Sequence, residues 1–253
     1  MDAVGGAVAK SFRVLEILST TAGPSRLSSL ADASGMQKST VHRVLAELID
    51  LGYAEQDETT GLYRPTLRTW ELGSATVANL PIRQVASAAL QDLRRDTGET
   101  VSLVVRSGDD ALYLDKIISP RPERFSTRVG SRVPLPLTIG GLALLASSDD
   151  GADVVRRTAR RTDLSAEVDV DAVVRSLDTI RRRGHATSTR QGVTGVAAAV
   201  LDRNEVPVAA LVVSAPSDRM NAEQRRRVTE LLVSATARLG ESLGSTTRVS
   251  IGV

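Results

Sequence analysis

The sequence predicts an α+β chain in two parts: a small helical unit closed by a β-hairpin, and a larger unit whose antiparallel strands are flanked by helices. Three observations lead there. Residues 27–53 read as helix, glycine turn and helix; residues 53–65 read as strand, turn and strand; and from about Pro81 the pattern changes to paired β-rich runs separated by polar turns.

In the first part, residues 8–20 offer Val8, Phe12, Leu15, Ile17 and Leu18 as the core side of a first helix, with Lys10 and Arg13 left to touch a phosphate. Next, Ser28 or Ser29 is expected to cap a short helix packing through Leu30, Ala31 and Ala33, and Gly35 falls where a tight turn needs a residue without Cβ. A second helix starts at Gln37. Its apolar residues Val41, Val44, Leu45, Leu48 and Leu51 recur at three- and four-residue spacing and define one buried stripe. The opposite face carries Lys38, Ser39, Thr40, His42 and Arg43 in the first two turns, the part of a recognition helix that reaches base edges and phosphates in a major groove. Strands over residues 53–56 and 62–65 around a polar turn complete a winged helix-turn-helix, with Arg64 placed to meet a phosphate or the minor groove. The expected DNA-facing set is Ser28, Gln37, Lys38, Ser39, Thr40, His42, Arg43 and Arg64. An ordinary helical hairpin with a solvated polar face fits residues 27–53 equally well; the preceding helix and the following wing favour DNA.

Bulk charge does not carry this reading. Net charge is +2, and within residues 1–80 the carboxylates outnumber the cations. What matters is placement: the cations sit at helix starts and on the wing, while Glu47, Asp50 and Glu55 lie at and beyond the far end of the second helix. So weak a total also predicts that a single copy binds DNA poorly and that dimerisation, which doubles the phosphate contacts, is needed. With no cysteine, no long apolar run and no charged leader before an apolar core, a soluble cytoplasmic protein with no signal peptide and no membrane partner is expected.

Residues 66–79 form a linker-helix pattern ending at Leu80-Pro81, with the single tryptophan, Trp70, expected in a core rather than between paired N-terminal units. The expected division is 1–65, a DNA-binding domain; 66–80, a linker helix; and 81–253, a second domain. That domain opens with an amphipathic helix over residues 82–97, stopped by Gly98. Strands over 100–105 and 111–118 follow, then a short apolar segment over 140–147, helices over 152–161 and 169–183, strands over 195–201 and 206–214, and a closing helix from an Asn221 cap to Leu243. One sheet face is expected to be covered, leaving room for a pocket under the loops.

The order of parts and several local motifs resemble the IclR family of bacterial transcription regulators over nearly the whole length. AVAKSFRVL from Ala7 is similar to the family's opening helix and KSTVHRVL from Lys38 to its recognition helix. PLPLT from Pro134 with ALLA from Ala143 is similar to the effector-domain mouth, and GVAAAV from Gly195 with residues 209–216 to its last paired strands. The resemblance implies a winged helix-turn-helix, a linker helix and a GAF-like α/β effector-binding domain. It also implies a homodimer or dimer of dimers on a palindromic double-stranded DNA operator, with a small-molecule effector acting by operator release or altered contact with RNA polymerase. Matched residue by residue, the family's effector pocket falls on Ile139 and Gly140, on Ser188 and Arg190 in a loop after Gly184, and on Val193, Gly195, Val212 and Ser214. With few fixed charges there, the implied effector is a partly apolar organic acid or aromatic metabolite, Arg190 pairing its carboxylate. For Gly140, Gly141, Gly192 and Gly195, backbone freedom is the competing explanation.

Catalysis has little to stand on. His42 belongs to the recognition helix and His185 stands alone, and there is no nucleotide fingerprint or nucleophile elbow. Asp149-Asp150 and Asp169 fall at helix starts, where they complement the dipole. No catalytic residue, metal site or cofactor is assigned. The readings that remain beside a repressor are an enzyme or ligand-binding protein using the second domain, and an architectural DNA-binding protein without an effector.

Overall fold

A computed structural model describes residues 6–121, 127–161 and 168–243. The chain divides into two compact units, Met1–Ala78 and Asn79–Val253.

In the first unit α1 (Ala7–Thr20), α2 (Leu27–Ser34) and α3 (Lys38–Asp50) pack together, and β1 (Ala54–Gln56) pairs antiparallel with β2 (Tyr63–Pro65) as the wing. Helix α4 (Leu67–Ala78) follows. The core is Val14 and Leu18 of α1, Leu30 and Ala31 of α2, Val41, Val44, Leu45 and Leu48 of α3, and Ala54 and Tyr63 of the wing. Gly35 turns α2 into α3 at φ 68°, a left-handed conformation that disfavours any side chain.

Several expectations change here. Val8 and Phe12 are 71% and 57% exposed, because at 100° per residue Phe12 lies roughly 160° around the helix from Val14. Leu51 is the exposed cap residue after α3, outside the buried stripe. Ala33 is exposed and Ser34 takes the inner position, its hydroxyl donating to the Ala31 carbonyl at 3.1 Å. Helix α2 begins after Arg26 with no side-chain cap, so Ser28 and Ser29 lie inside its first turn. Arg13 is tethered, its Nε donating to the Ser34 carbonyl at 3.0 Å, which leaves its terminal nitrogens for a phosphate. Trp70 is 69% exposed and α4 buries none of its residues, which overturns the core reading of that tryptophan.

The second unit opens with α5 (Pro81–Thr97), ended by Gly98 at φ 71°. Strands β3 (Thr100–Ser107), β4 (Asp110–Ile117) and β5 (Arg132–Pro134) lead through a 3-10 turn (Leu135–Leu137) to α6 (Ile139–Ala146), α7 (Gly151–Ala159) and α8 (Val170–Arg183). Then come β6 (Ala186–Arg190), β7 (Val193–Leu201), β8 (Pro207–Pro216) and α9 (Ala222–Ser242), which Asn221 caps by accepting from the Gln224 amide at 2.9 Å. The strands make one antiparallel sheet in the order β5-β4-β3-β8-β7-β6. The short strands β5 and β6 were not anticipated, and Ser188 lies on a strand rather than in a loop.

Both sheet faces are covered, not one. Alternation separates them. Val104, Ala197, Ala210 and Val212 pack toward α6, α7 and α8, whereas α5 and α9 cover the opposite side, where the alternate residues Val101, Leu103, Val196, Leu211 and Val213 are buried. The continuous apolar runs of β7 and β8 are the sequence mark of strands buried on both faces.

Candidate nucleic-acid interface and ligand cavity

Burial of Val41, Val44, Leu45 and Leu48 fixes the rotation of α3, which leaves Lys38, Ser39, His42 and Arg43 exposed and Thr40 half-buried at the edge. Lys38 and His42, and Ser39 and Arg43, are i,i+4 pairs, so the four form one patch over the first two turns. No acidic residue lies in the first turn, and among the described residues none of Lys38, His42 and Arg43 is held in an ion pair. Gln37 is the exposed N-cap residue, and Ser28 is half-buried in α2. Arg64 differs from expectation: its guanidinium pairs with Glu55 across the wing, so a phosphate has to displace that carboxylate. The wing's turn is tied by Asp57, whose Oδ1 accepts from the Thr59 and Thr60 amides at 3.0 and 2.7 Å; the Thr60 bonds hold its carboxyl below the usual range.

In the second unit a cavity of about 390 Å³ opens between the sheet and the start of α6. Seven of the eight residues matched to an effector pocket line it: Ile139, Ser188, Arg190, Val193, Gly195, Val212 and Ser214. Strand register explains why residues so far apart in sequence converge. Ser188 pairs with Gly195, Gly195 with Ser214 and Ser214 with Thr100, a single row across β6, β7, β8 and β3. Gly140 stays out of the cavity; a Cβ there would come 3.0 Å from Val212 Cγ2 and 3.3 Å from Val104, so its absent side chain lets α6 approach the sheet. At Gly195 a Cβ would meet Ile139 at 3.4 Å, leaving the missing side chain as cavity space. Helix α6 itself is aimed by Thr138, whose Oγ1 accepts from the Gly141 amide at 2.9 Å.

The cavity is more polar than the sequence suggested. Sequence reasoning missed Thr100 and Ser102 on β3, Tyr113 and Lys116 on β4, and Thr127. Burial pushes the Tyr113 phenol up, so it remains a protonated donor near neutral pH. Among the described residues the lining holds two cations, Lys116 and Arg190, and no carboxylate. A signal for Lys116 was present in composition: the lysines of this chain are Lys10, Lys38 and Lys116, every other Lys/Arg position being arginine, so Lys116 is the single lysine after residue 78.

Ion pairs brace the surroundings. Arg106 grips Asp150 with two bonds of 2.7 Å and holds that carboxyl below its ordinary range, while Arg157 and Arg161 reach Asp109 and Asp110, pinning the β3–β4 turn to α7. Glu99, 1% exposed, accepts from Arg121 at 3.0 Å and from Arg219 at 3.0 and 2.7 Å, immediately before the cavity residue Thr100. Where α8 meets the end of α6, Arg181 donates to the Ala146 carbonyl at 2.6 Å and caps that helix. Asp169 caps α8 from the Ala172 amide at 3.0 Å, in keeping with its reading as a helix-start carboxylate. Among the described residues no His/Asp/Glu group could hold a metal ion and no helix is long and apolar enough to cross a membrane.

Comparison with known proteins agrees with this geometry. The IclR helix-turn-helix domain matches residues 7–58, and the bacterial transcriptional regulator IclR C-terminal domain matches residues 74–240. The transcriptional regulator KdgR of Escherichia coli is 30% identical over 251 residues, covering 94% of this chain and 92% of that protein. The transcriptional repressor AllR of Klebsiella pneumoniae is 27% identical, covering 94% and 90%. An IclR homologue of Microbacterium hydrocarbonoxydans, solved with 4-hydroxybenzoate, superposes with a TM-score of 0.78 at 25% identity over 93% of this chain and 98% of that one. With both domains matched in the same order and relatives alike from end to end, the chain belongs to the IclR family of bacterial transcriptional regulators.

Proposed function

We propose that this DNA-binding regulator, a protein of a family that regulates transcription rather than catalysing reactions, is a cytoplasmic, effector-responsive repressor of catabolic or metabolic genes. Residues 1–65 act as the DNA-binding domain, 66–80 as the linker and 81–253 as the effector-binding and oligomerisation domain. One observation carries the reading: α3 presents Lys38, Ser39, His42 and Arg43 on a surface fixed by a buried stripe on its other side. Two such helices enter successive major grooves of a palindromic operator, with Gln37 and Thr40 at the helix start, Ser28 beside it and Arg64 at the wing. Exposed Phe12, Leu67 and Trp70 offer apolar surface to a second copy, in a dimer or dimer of dimers.

The effector is a partly apolar organic acid or aromatic metabolite, a class supported by a cavity whose described lining carries cations and no carboxylate, and by the 4-hydroxybenzoate complex of the Microbacterium homologue. It acts only through its differential affinity for two conformers, releasing the operator or altering contact with RNA polymerase. The test is fluorescence anisotropy on the DNA upstream of the protein's own gene, against shuffled DNA, across a salt series and with a panel of organic acids. Arg43→Ala is expected to weaken operator binding about tenfold or more, the loss typical of one base or phosphate contact, with effector affinity unchanged. An unaltered operator titration refutes the assignment of α3.

A further inference from the structure

Resting on that reading, we infer that Lys116, not Arg190, anchors the effector's carboxylate, at the β3–β4 end of the cavity, and that a β-bulge exists in β4 to put it there. On a regular strand residues 113 and 116 would face opposite sides. Pairing jumps from Leu103↔Asp115 to Val104↔Tyr113, which leaves Leu114 as the extra residue. That one insertion turns both Tyr113 and Lys116 into the cavity, the use a bulge has when it re-aims a side chain.

The two cations lie far apart. Arg190 is on the edge strand β6 and Lys116 on β4, four strand steps away, up to about 19 Å along the sheet. Their surroundings differ as well. Arg190 is exposed beside the turn at Gln191 and Gly192. Lys116 is half-buried and its Nζ donates to the Thr127 carbonyl at 3.3 Å. Directly across the strand pair from it is buried Ser102, with the Tyr113 phenol alongside. A carboxylate seated there accepts from an ammonium, a hydroxyl and a protonated phenol out of bulk water, where charge-assisted bonds are strongest. Choice of residue agrees with this. Several arginines of this unit pair with its own carboxylates at Asp109, Asp110, Asp115, Asp150 and Glu99, whereas the cavity takes the unit's one lysine, a compact charge whose three rotatable donors adapt to a ligand. The ligand's apolar body then lies along Val212, Val193, Ile139 and Leu137, toward Arg190 at the mouth.

The test is isothermal titration of the full-length protein with 4-hydroxybenzoate and cyclohexanecarboxylate, each against its amide. Wild-type protein is expected to bind at least one acid saturably and its amide at least tenfold more weakly. Lys116→Met should lower acid affinity roughly 10- to 100-fold, the range for one lost hydrogen bond to a charged group, and bring acid and amide together. Arg190→Met should change it less than threefold. Lys116→Gln, a shorter and neutral polar side chain, also removes the charge and should likewise bring acid and amide together should the methionine variant not fold, and melting curves identify that case. Equal binding of acid and amide, no acid bound by wild type, or a loss on Arg190→Met with Lys116→Met unaffected each overturns the assignment. Operator binding by Lys116→Met without ligand separates the two readings: intact DNA binding with failed acid binding refutes this inference alone, and acid binding without operator binding refutes the repressor.

Discussion

Glu99→Gln is expected to lower the unfolding temperature of the second unit by about 6–12 °C. The carboxylate is 1% exposed and accepts three bonds of 2.7–3.0 Å from Arg121 and Arg219. Glutamine keeps the shape but removes the charge and turns one acceptor into a donor that faces a guanidinium. Breaking a buried ion pair on one side costs about 3–5 kcal/mol. Because the arginine side chains are 53% and 26% exposed and regain some water, the low end, about 3 kcal/mol, applies. At 2–4 °C per kcal/mol for a unit of this size the stated shift follows, read by scanning calorimetry at pH 7. Arg121→Met, which removes one bond from the more exposed partner, is expected to cost no more than about 1 kcal/mol. A Glu99→Gln shift below about 2 °C, or an equal effect of the two variants, refutes the reasoning that burial of the acceptor sets the scale.

Gly141→Ala places a Cβ 2.1 Å from the Leu135 carbonyl oxygen, a backbone atom that cannot swing away. The expected cost is about 1–3 kcal/mol, with a shift of α6 that also changes acid affinity at the cavity; unchanged melting and binding would count against the packing argument. The Arg106–Asp150 pair makes a pH prediction. Arg106 lowers the carboxyl of Asp150, so its contribution is full above about pH 4 and fades as pH falls through and below that value. With Asp150 45% exposed this amounts to less than about 1 kcal/mol. The stability gap between wild type and Asp150→Asn in urea titrations should therefore narrow from pH 7 to pH 3, and a constant gap contradicts it. Trp70→Asp is expected to shift sedimentation toward smaller species and to weaken operator binding, and unchanged sedimentation removes α4 from the dimer interface.

The DNA-binding unit was readable from sequence because its signals are local. A glycine at the turn, a 3.6-residue stripe in α3 and two short strands around a polar turn each fall within a few residues of one another. What misled there was the assumption that apolar means buried: Val8, Phe12, Leu51 and Trp70 are exposed, as apolar residues often are. The cavity was harder. Its floor depends on which residues stand opposite one another across four strands, and pairing register is not a local property. Strand β6 (ATSTR) hid because edge exposure leaves it no apolar alternation. Lys116 hid for a different reason, since an extra residue at Leu114 sets its direction and no pattern in β4 announces where pairing will slip.

The sheet's two-sided alternation separates two jobs along the same strands. On β3, β7 and β8, one set of alternate residues (Val101, Leu103, Val196, Leu211, Val213) is committed to holding α5 and α9, while its neighbours Thr100, Ser102, Gly195, Val212 and Ser214 line the cavity. Ligand preference can therefore drift by single substitutions at every second position while the side that holds α5 and α9 goes untouched. A library randomised at those five cavity positions alone should retain folded members and differ among them chiefly in which molecule is sensed.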